Sequence, residues 1–186
     1  MQAQKHSFTF VEQLVIGNDE EASAEYLFSY PHLIRTDSNG NIYITDQNRA
    51  DVRVFDAGGQ FVTTIGRRGQ GPGEMQEIIG MHVDEQDRLI VADRMNARFT
   101  IFSNMGETFE THPFSEKYTI SPQVILSLED TYLFVYPRIV DVVMNERGFQ
   151  VGEVYQDTVM HRYTRGFEPL TSFARLDLIL ISIVPS

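Results

Sequence analysis

Residues 37–62 read DSNGNIYITDQNRADVRVFDAGGQFV, and residues 84–109 read DEQDRLIVADRMNARFTIFSNMGETF, the same pattern forty-seven positions on. Asp37 matches Asp84, Asp46 matches Asp93, Ala50 matches Ala97, Phe55 matches Phe102 and Gly59 matches Gly106, all at one unbroken offset. Such shared spacing marks an internal repeat, and each copy carries the punctuation of short strands. In the first, His32 to Thr36 runs into Asp-Ser-Asn-Gly at 37–40, where Asx side chains can bond the local backbone and Gly accepts positive φ, so a hairpin turn is predicted. Asn41 to Thr45 is β-branched and aromatic, Val52 to Phe55 alternates around Arg53, and Gln60 to Ile65 follows the Gly58-Gly59 turn. The second copy runs the same course through Arg88 to Ala92, Phe99 to Phe102 and a turn at Asn104-Met105-Gly106. Neither copy holds a helical period long enough to be capped.

A period in the forties with four short strands per unit is the pattern of stacked four-stranded blades, so the chain reads as all-β, a β-propeller. The strings NGNIYITDQNRADVRVFDAGGQFVTTIG and RLIVADRMNARFTIFSNMGETF resemble NHL repeats, in which an apolar strand ends in Asp, a polar turn follows, a second strand ends in Phe, and Gly closes the next turn. The linker GRRGQGPGEM at 66–75 resembles the inter-blade loop of bacterial six-bladed β-propellers built from such repeats. The resemblance covers residues 26–110 and implies a fold, not an activity, because one propeller fold hosts binders, lyases and hydrolases.

The expected organisation is one domain of about three blades plus terminal strands. Residues 8–25 form a leading strand (Phe8 to Ile16) and linker, 26–66 blade 1, 67–113 blade 2, 114–175 a divergent blade 3, and 176–186 a tail. In blade 3, Ser127 to Tyr136 has an acidic turn before an apolar-aromatic strand, Met160 to Leu170 has the third-strand and turn order, and Pro137 to Val159 reads as an inserted hairpin. Leu176 to Val184 is too short for a membrane span and reads either as the first strand of a truncated blade or as unrelated sequence. Against the six-bladed resemblance this is half a ring, whose uncovered blade faces and edges invite self-association.

With 42% hydrophobic and 22% charged residues the composition is that of a soluble globular chain. A net charge of −11 repels phosphate backbones and argues against nucleic acid as a partner. The lack of cysteine excludes disulfides and thiolate metal sites. No cofactor motif is present: the Gly-rich segment from Gly66 to Gly73 lacks the Gly-Lys-Ser/Thr ending of a phosphate cradle. Met1 to His6 is polar with no apolar run behind it, so no signal peptide is visible, whereas the resemblance implies an exported protein, periplasmic or extracellular.

The loop after each blade's second strand and the loop joining blades open on one face, and here they carry Arg49, Arg67, Arg68, Arg94 and Arg98, five of the fifteen basic residues. A basic face on an acidic protein points to a protein, peptide or small ligand that presents carboxylates. The structural alternative pairs Arg98 and Arg49 with the repeat aspartates. Asp37, Asp46, Asp84 and Asp93 recur in both copies, which marks them as turn caps rather than acid–base or cation-binding groups. Arg35 and His82 are equivalent at the repeat offset and fall on the innermost strands, where one alternation faces the channel. Propeller lyases and lactonase-like hydrolases hold a metal at such a place, yet His32, His112 and His161 share no spacing with His82, so neither a metal nor a catalytic residue is assigned. The reading is a non-catalytic binding module that recognises a peptide, protein or glycan on its loop face, with a metal-dependent propeller enzyme, a lyase or lactonase-like hydrolase, as the alternative and RNA binding as a weaker one.

Overall fold

Strands that alternate apolar and polar side chains and are joined by tight Asx turns can bury both faces only as antiparallel sheets stacked on one another. A computed structural model shows this arrangement and describes residues 11–17, 23–114, 124–128, 130–140, 144–145, 148–149 and 155–178. The first sheet comprises β1 (Pro31–Thr36), β2 (Ile42–Asp46), β3 (Asp51–Phe55) and β4 (Phe61–Ile65). The second comprises β5 (Ile78–Val83), β6 (Leu89–Asp93), β7 (Arg98–Ser103) and β8 (Thr108–Pro113), with a 3-10 turn at Asn104–Gly106. In the third, β9 (Val124–Leu128), β10 (Thr131–Val140), β13 (Tyr155–Thr164) and β14 (Pro169–Leu178) pair in that order. A small two-stranded sheet of β11 (Met144–Asn145) and β12 (Gly148–Phe149) lies between β10 and β13 in the chain.

The repeat holds in three dimensions. Asp46 pairs with Asp51 where β2 meets β3, and Asp93 pairs with Arg98 at the equivalent point between β6 and β7. Ala50 and Ala97 both take left-handed backbone, with φ of 54° and 49°, and Gly59 and Gly106 close the next turn with φ of 82° and 94°. The sheets stack through two apolar layers. Tyr43, Val52, Val54 and Ile65 of the first sheet bury against Ile78, Met81, Leu89, Val91 and Phe102 of the second. Ile90, Ala92, Phe99 and Ile101 on the second sheet's far side meet Ile125, Tyr132 and Tyr163 of the third. The inner strands meet along the hub, β1 against β5 and β5 against β9.

Two expectations change. The described part of the leading segment, residues 11–17, forms no strand; it lies beside the β3–β4 turn, where Leu14 and Ile16 pack within van der Waals reach of Gly59. Its alternating pattern is used for packing on a rim instead of for a ladder. In blade 3, Pro137–Val140 and Tyr155–Val159 are not a separate hairpin but the extension of β10 and β13, which pair without a break from Thr131↔Thr164 to Val140↔Tyr155. Leu176, Asp177 and Leu178 belong to β14, opposite Thr158, Asp157 and Gln156 of β13, and the remainder of the tail lies outside the described residues.

Candidate functional site

The four repeated aspartates each bind backbone amides. Asp37 accepts from the N–H of Asn39 (2.9 Å) and Asn41 (2.8 Å), and Asp84 accepts from Gln86 (3.0 Å) and Arg88 (2.9 Å), the same two positions of the same turn. Asp46 and Asp93 reach farther, from the end of the second strand to the residues that lead into the first. Asp46 takes the N–H groups of Ser29 (2.7 Å) and Tyr30 (3.2 Å), and Asp93 those of Gln76 (2.9 Å) and Glu77 (3.0 Å). Burial works against a charge on Asp46, yet the amides of Ser29, Tyr30 and Arg49 together with Arg53 outweigh it and hold the carboxyl below its ordinary range. Asp84 is likewise held low, burial being outweighed by the Arg88 amide and by the Tyr132 hydroxyl and Arg88 guanidinium.

The loops after β2, between β4 and β5, and after β6 gather at one end of the blades; four of the five predicted arginines lie on them, and Arg98 is the first residue of β7. Arg67 is 81% exposed and pairs with Glu74 of its own loop at 2.7 Å. Arg68 is exposed and donates to the carbonyls of Gln47, Asn48 and Gln76, tying the loop after β2 to the inter-blade crossing. Arg94 pairs with Glu77, and Arg49 lies 3.9 Å from Asp46. Among the described residues Arg98 pairs with no aspartate: it is half-buried and donates to the carbonyls of Gly71 (2.6 Å) and Glu74 (2.8 Å), which fixes the Gly-rich crossing. The Gly-rich segment is therefore a pinned crossing that holds Arg67 outward.

At the hub, His82 Nε2 lies 2.7 Å from Ser127 Oγ of the next inner strand. Burial holds the imidazole below its ordinary pKa, and the charge of Arg35 adds to this, against the pull of Asp84 and Glu85. Arg35 and His82 stand on the neighbouring inner strands β1 and β5. Arg165, from the turn between β13 and β14, pairs with Glu85 at 2.7 Å and stacks its guanidinium 4.5 Å above the Tyr132 ring. Among the described residues no three His, Asp or Glu side chains converge as a metal site.

Sequence reasoning missed several polar groups. Ser127 and Arg165 belong to the diverged third blade, where no offset pointed to them. Arg53 appeared only as the polar member of an alternating strand; it is buried, donates to the carbonyls of Glu25 (2.9 Å) and Leu27 (2.7 Å), and pairs with Asp46 at 3.3 Å. Asp87 stands where blade 1 has Gly40, and that substitution within the repeat was the available signal.

Comparison with known proteins adds the family. A family profile described as a 6-bladed beta-propeller matches residues 21–154. The chain belongs to this six-bladed β-propeller family. No match is found among curated protein sequences. Among solved structures, the propeller is similar to a Bacteroides fragilis protein predicted to be exported, with TM-score 0.56, 18% identity, and coverage of 83% of this chain and 53% of that one. It is also similar to Kuenenia stuttgartiensis hydrazine synthase, with TM-score 0.55, 11% identity, and coverage of 87% and 40%. A Bacteroides caccae protein of unknown function follows, with TM-score 0.51, 12% identity, and coverage of 75% and 47%. At these identities the likeness is one of fold. The propeller chain spans about half the length of the structures it matches.

Proposed function

We propose that this propeller is a binding module, an NHL-like platform that takes a carboxylate-bearing protein or peptide on its loop face. The reading rests on Arg67. Its side chain is 81% exposed, with Nε and Nη2 on Glu74 and Nη1 without a hydrogen-bond partner among the described residues, while the backbone beneath it is held by the Met75 N–H to Arg67 carbonyl bond (2.8 Å) and by the Arg98 clamp. A rigid base under an exposed guanidinium, held along one edge by Glu74 and able to offer its outer edge, is what low-cost recognition of a carboxylate needs, since little ordering remains to be done on binding. Arg68 and Arg94 border the same face, and a sugar acid would present the same chemical group. Export is part of the proposal and is supported by the likeness to the predicted exported protein. No described helix is long and apolar enough to cross a membrane.

The test compares a peptide ending in a free carboxylate with its amidated form, measured by calorimetry. Arg67→Ala is expected to weaken binding of the free-carboxylate peptide at least tenfold while changing stability by no more than about 0.5 kcal/mol. Equal binding of both peptides, or unchanged affinity in the variant, would overturn the proposal.

A further inference from the structure

We infer that the hub wall made by Arg35, His82 and Ser127 is a second ligand site, one that takes a small monocarboxylate. Each of the three is the penultimate residue of its inner strand, on β1, β5 and β9 in turn. Arg35 and His82 are equivalent at the repeat offset, and the 2.7 Å contact between His82 and Ser127 carries the layer to the third strand. Their strand neighbours Leu33, Met81, Val83 and Ile125 pack in the apolar layers, so a polar layer at this level serves no packing need.

The arginines nearby show what a structural role looks like here. Arg88 is matched to Asp84 at 2.8 Å and Arg165 to Glu85 at 2.7 Å. Half-buried Arg35 has no such carboxylate; among the described residues its guanidinium donates only to the carbonyl of its neighbour Ile34, at 2.8 Å. A guanidinium has five N–H donors in a planar fork, so the face that suits a bidentate carboxylate is left for a ligand. The adjacent carboxylates cannot swing in to fill it without abandoning Arg88, Tyr132 and Arg165. Arg165 also reaches Ser127 Oγ, at 3.5 Å, but its charge is matched by Glu85 at 2.7 Å, so among the described residues Arg35 supplies the one positive charge here without a carboxylate partner, and Glu85 close by disfavours a dianion, which selects a monocarboxylate over phosphate. Burial is the main reason that the His82 pKa lies below its ordinary value, and a bound anion would offset the added contribution of Arg35, making the imidazole a built-in reporter.

Acetate and inorganic phosphate are the probes, with sodium chloride at matched ionic strength as the control, and the His82 ring proton is followed by NMR across pH. The groups that set its titration are Arg35, Asp84, Glu85 and Arg165. Acetate is expected to shift the resonance saturably and to raise the apparent pKa of His82, with phosphate weaker. Arg35→Gln should remove the saturable shift, and Arg35→Lys, which keeps charge but loses the fork, should weaken it severalfold. Arg67→Ala should leave it intact, which separates this site from the loop face. A shift no different from that in chloride, tighter binding of phosphate, or full acetate response in folded Arg35→Gln would overturn the inference.

Discussion

Blades 1 and 2 perform the same backbone task with arginines at different positions. In blade 1, Arg53 in the middle of β3 reaches the carbonyls of Glu25 and Leu27; in blade 2, Arg98 at the start of β7 reaches those of Gly71 and Glu74. The repeat equivalents are Asp51 for Arg98 and Thr100 for Arg53, so each blade lacks an arginine where the other has one. The two also differ in what covers them. Met81 is 1% exposed because blade 1 packs on it, whereas its equivalent Ile34 is 59% exposed on the far side of blade 1. Farther from the hub that same side is closed: Tyr26 and Phe28 pack on Phe55 with ring centroids 5.5 and 6.0 Å away. A repeat fixes which backbone groups must be satisfied and leaves open which side chain does so.

The largest expected effect separates the two clamps. Arg53→Met strips a buried partner from Asp46 and leaves two carbonyls unmet, and should cost about 3–5 kcal/mol in urea unfolding. Arg98→Met loses only two charge-assisted bonds to a half-buried loop and should cost about 1.5–3 kcal/mol. Equal losses would show that the clamps are interchangeable. Next comes the covered and open pair: Met81→Ala should cost about 2–5 kcal/mol, and Ile34→Ala no more than about 0.5 kcal/mol. A large loss at Ile34 would mean that something covers that face in solution, and the oligomeric state of wild type would then identify a second copy as the cover. The smallest effect belongs to Thr100, fully buried with no hydrogen-bond partner for its hydroxyl among the described residues. Thr100→Val should be neutral or stabilise by up to about 1 kcal/mol, since an unmet buried hydroxyl is removed.

The fold was legible because the repeat offset carries its turns with it: Asp37 with Asp84 and Gly59 with Gly106 mark the same corners in both copies, and the corners set the strands. The third blade was only half legible. β10 and β13 are ten residues each, and Pro137 inside β10 reads as a break although the ladder runs through it. Residues 11–16 misled because alternation reports which side chains are apolar and not whether an edge is free to pair. The arginine-bearing face was legible as charge, but its internal geometry was not. Arg68 and Arg98 are held by main-chain carbonyls, which every residue possesses and no sequence displays. The polar hub wall was legible as far as Arg35 and His82, where the offset holds, and ended where the third strand lost it.

Asp87 carries a consequence for the order of the blades. It adopts the left-handed backbone, φ 56°, at the position where blade 1 uses Gly40, a conformation that L residues other than Asn and Asp seldom accept. The carboxylate so presented receives the Ser38 amide at 2.8 Å and the Ser38 hydroxyl at 2.6 Å across the blade boundary. Such a latch is directional, since it needs a short hydroxyl on the preceding turn and an acid on the following one. Two sheets alike enough to superpose are thereby given distinct left and right neighbours, and the array acquires an address code at its rim that apolar stacking alone would not provide.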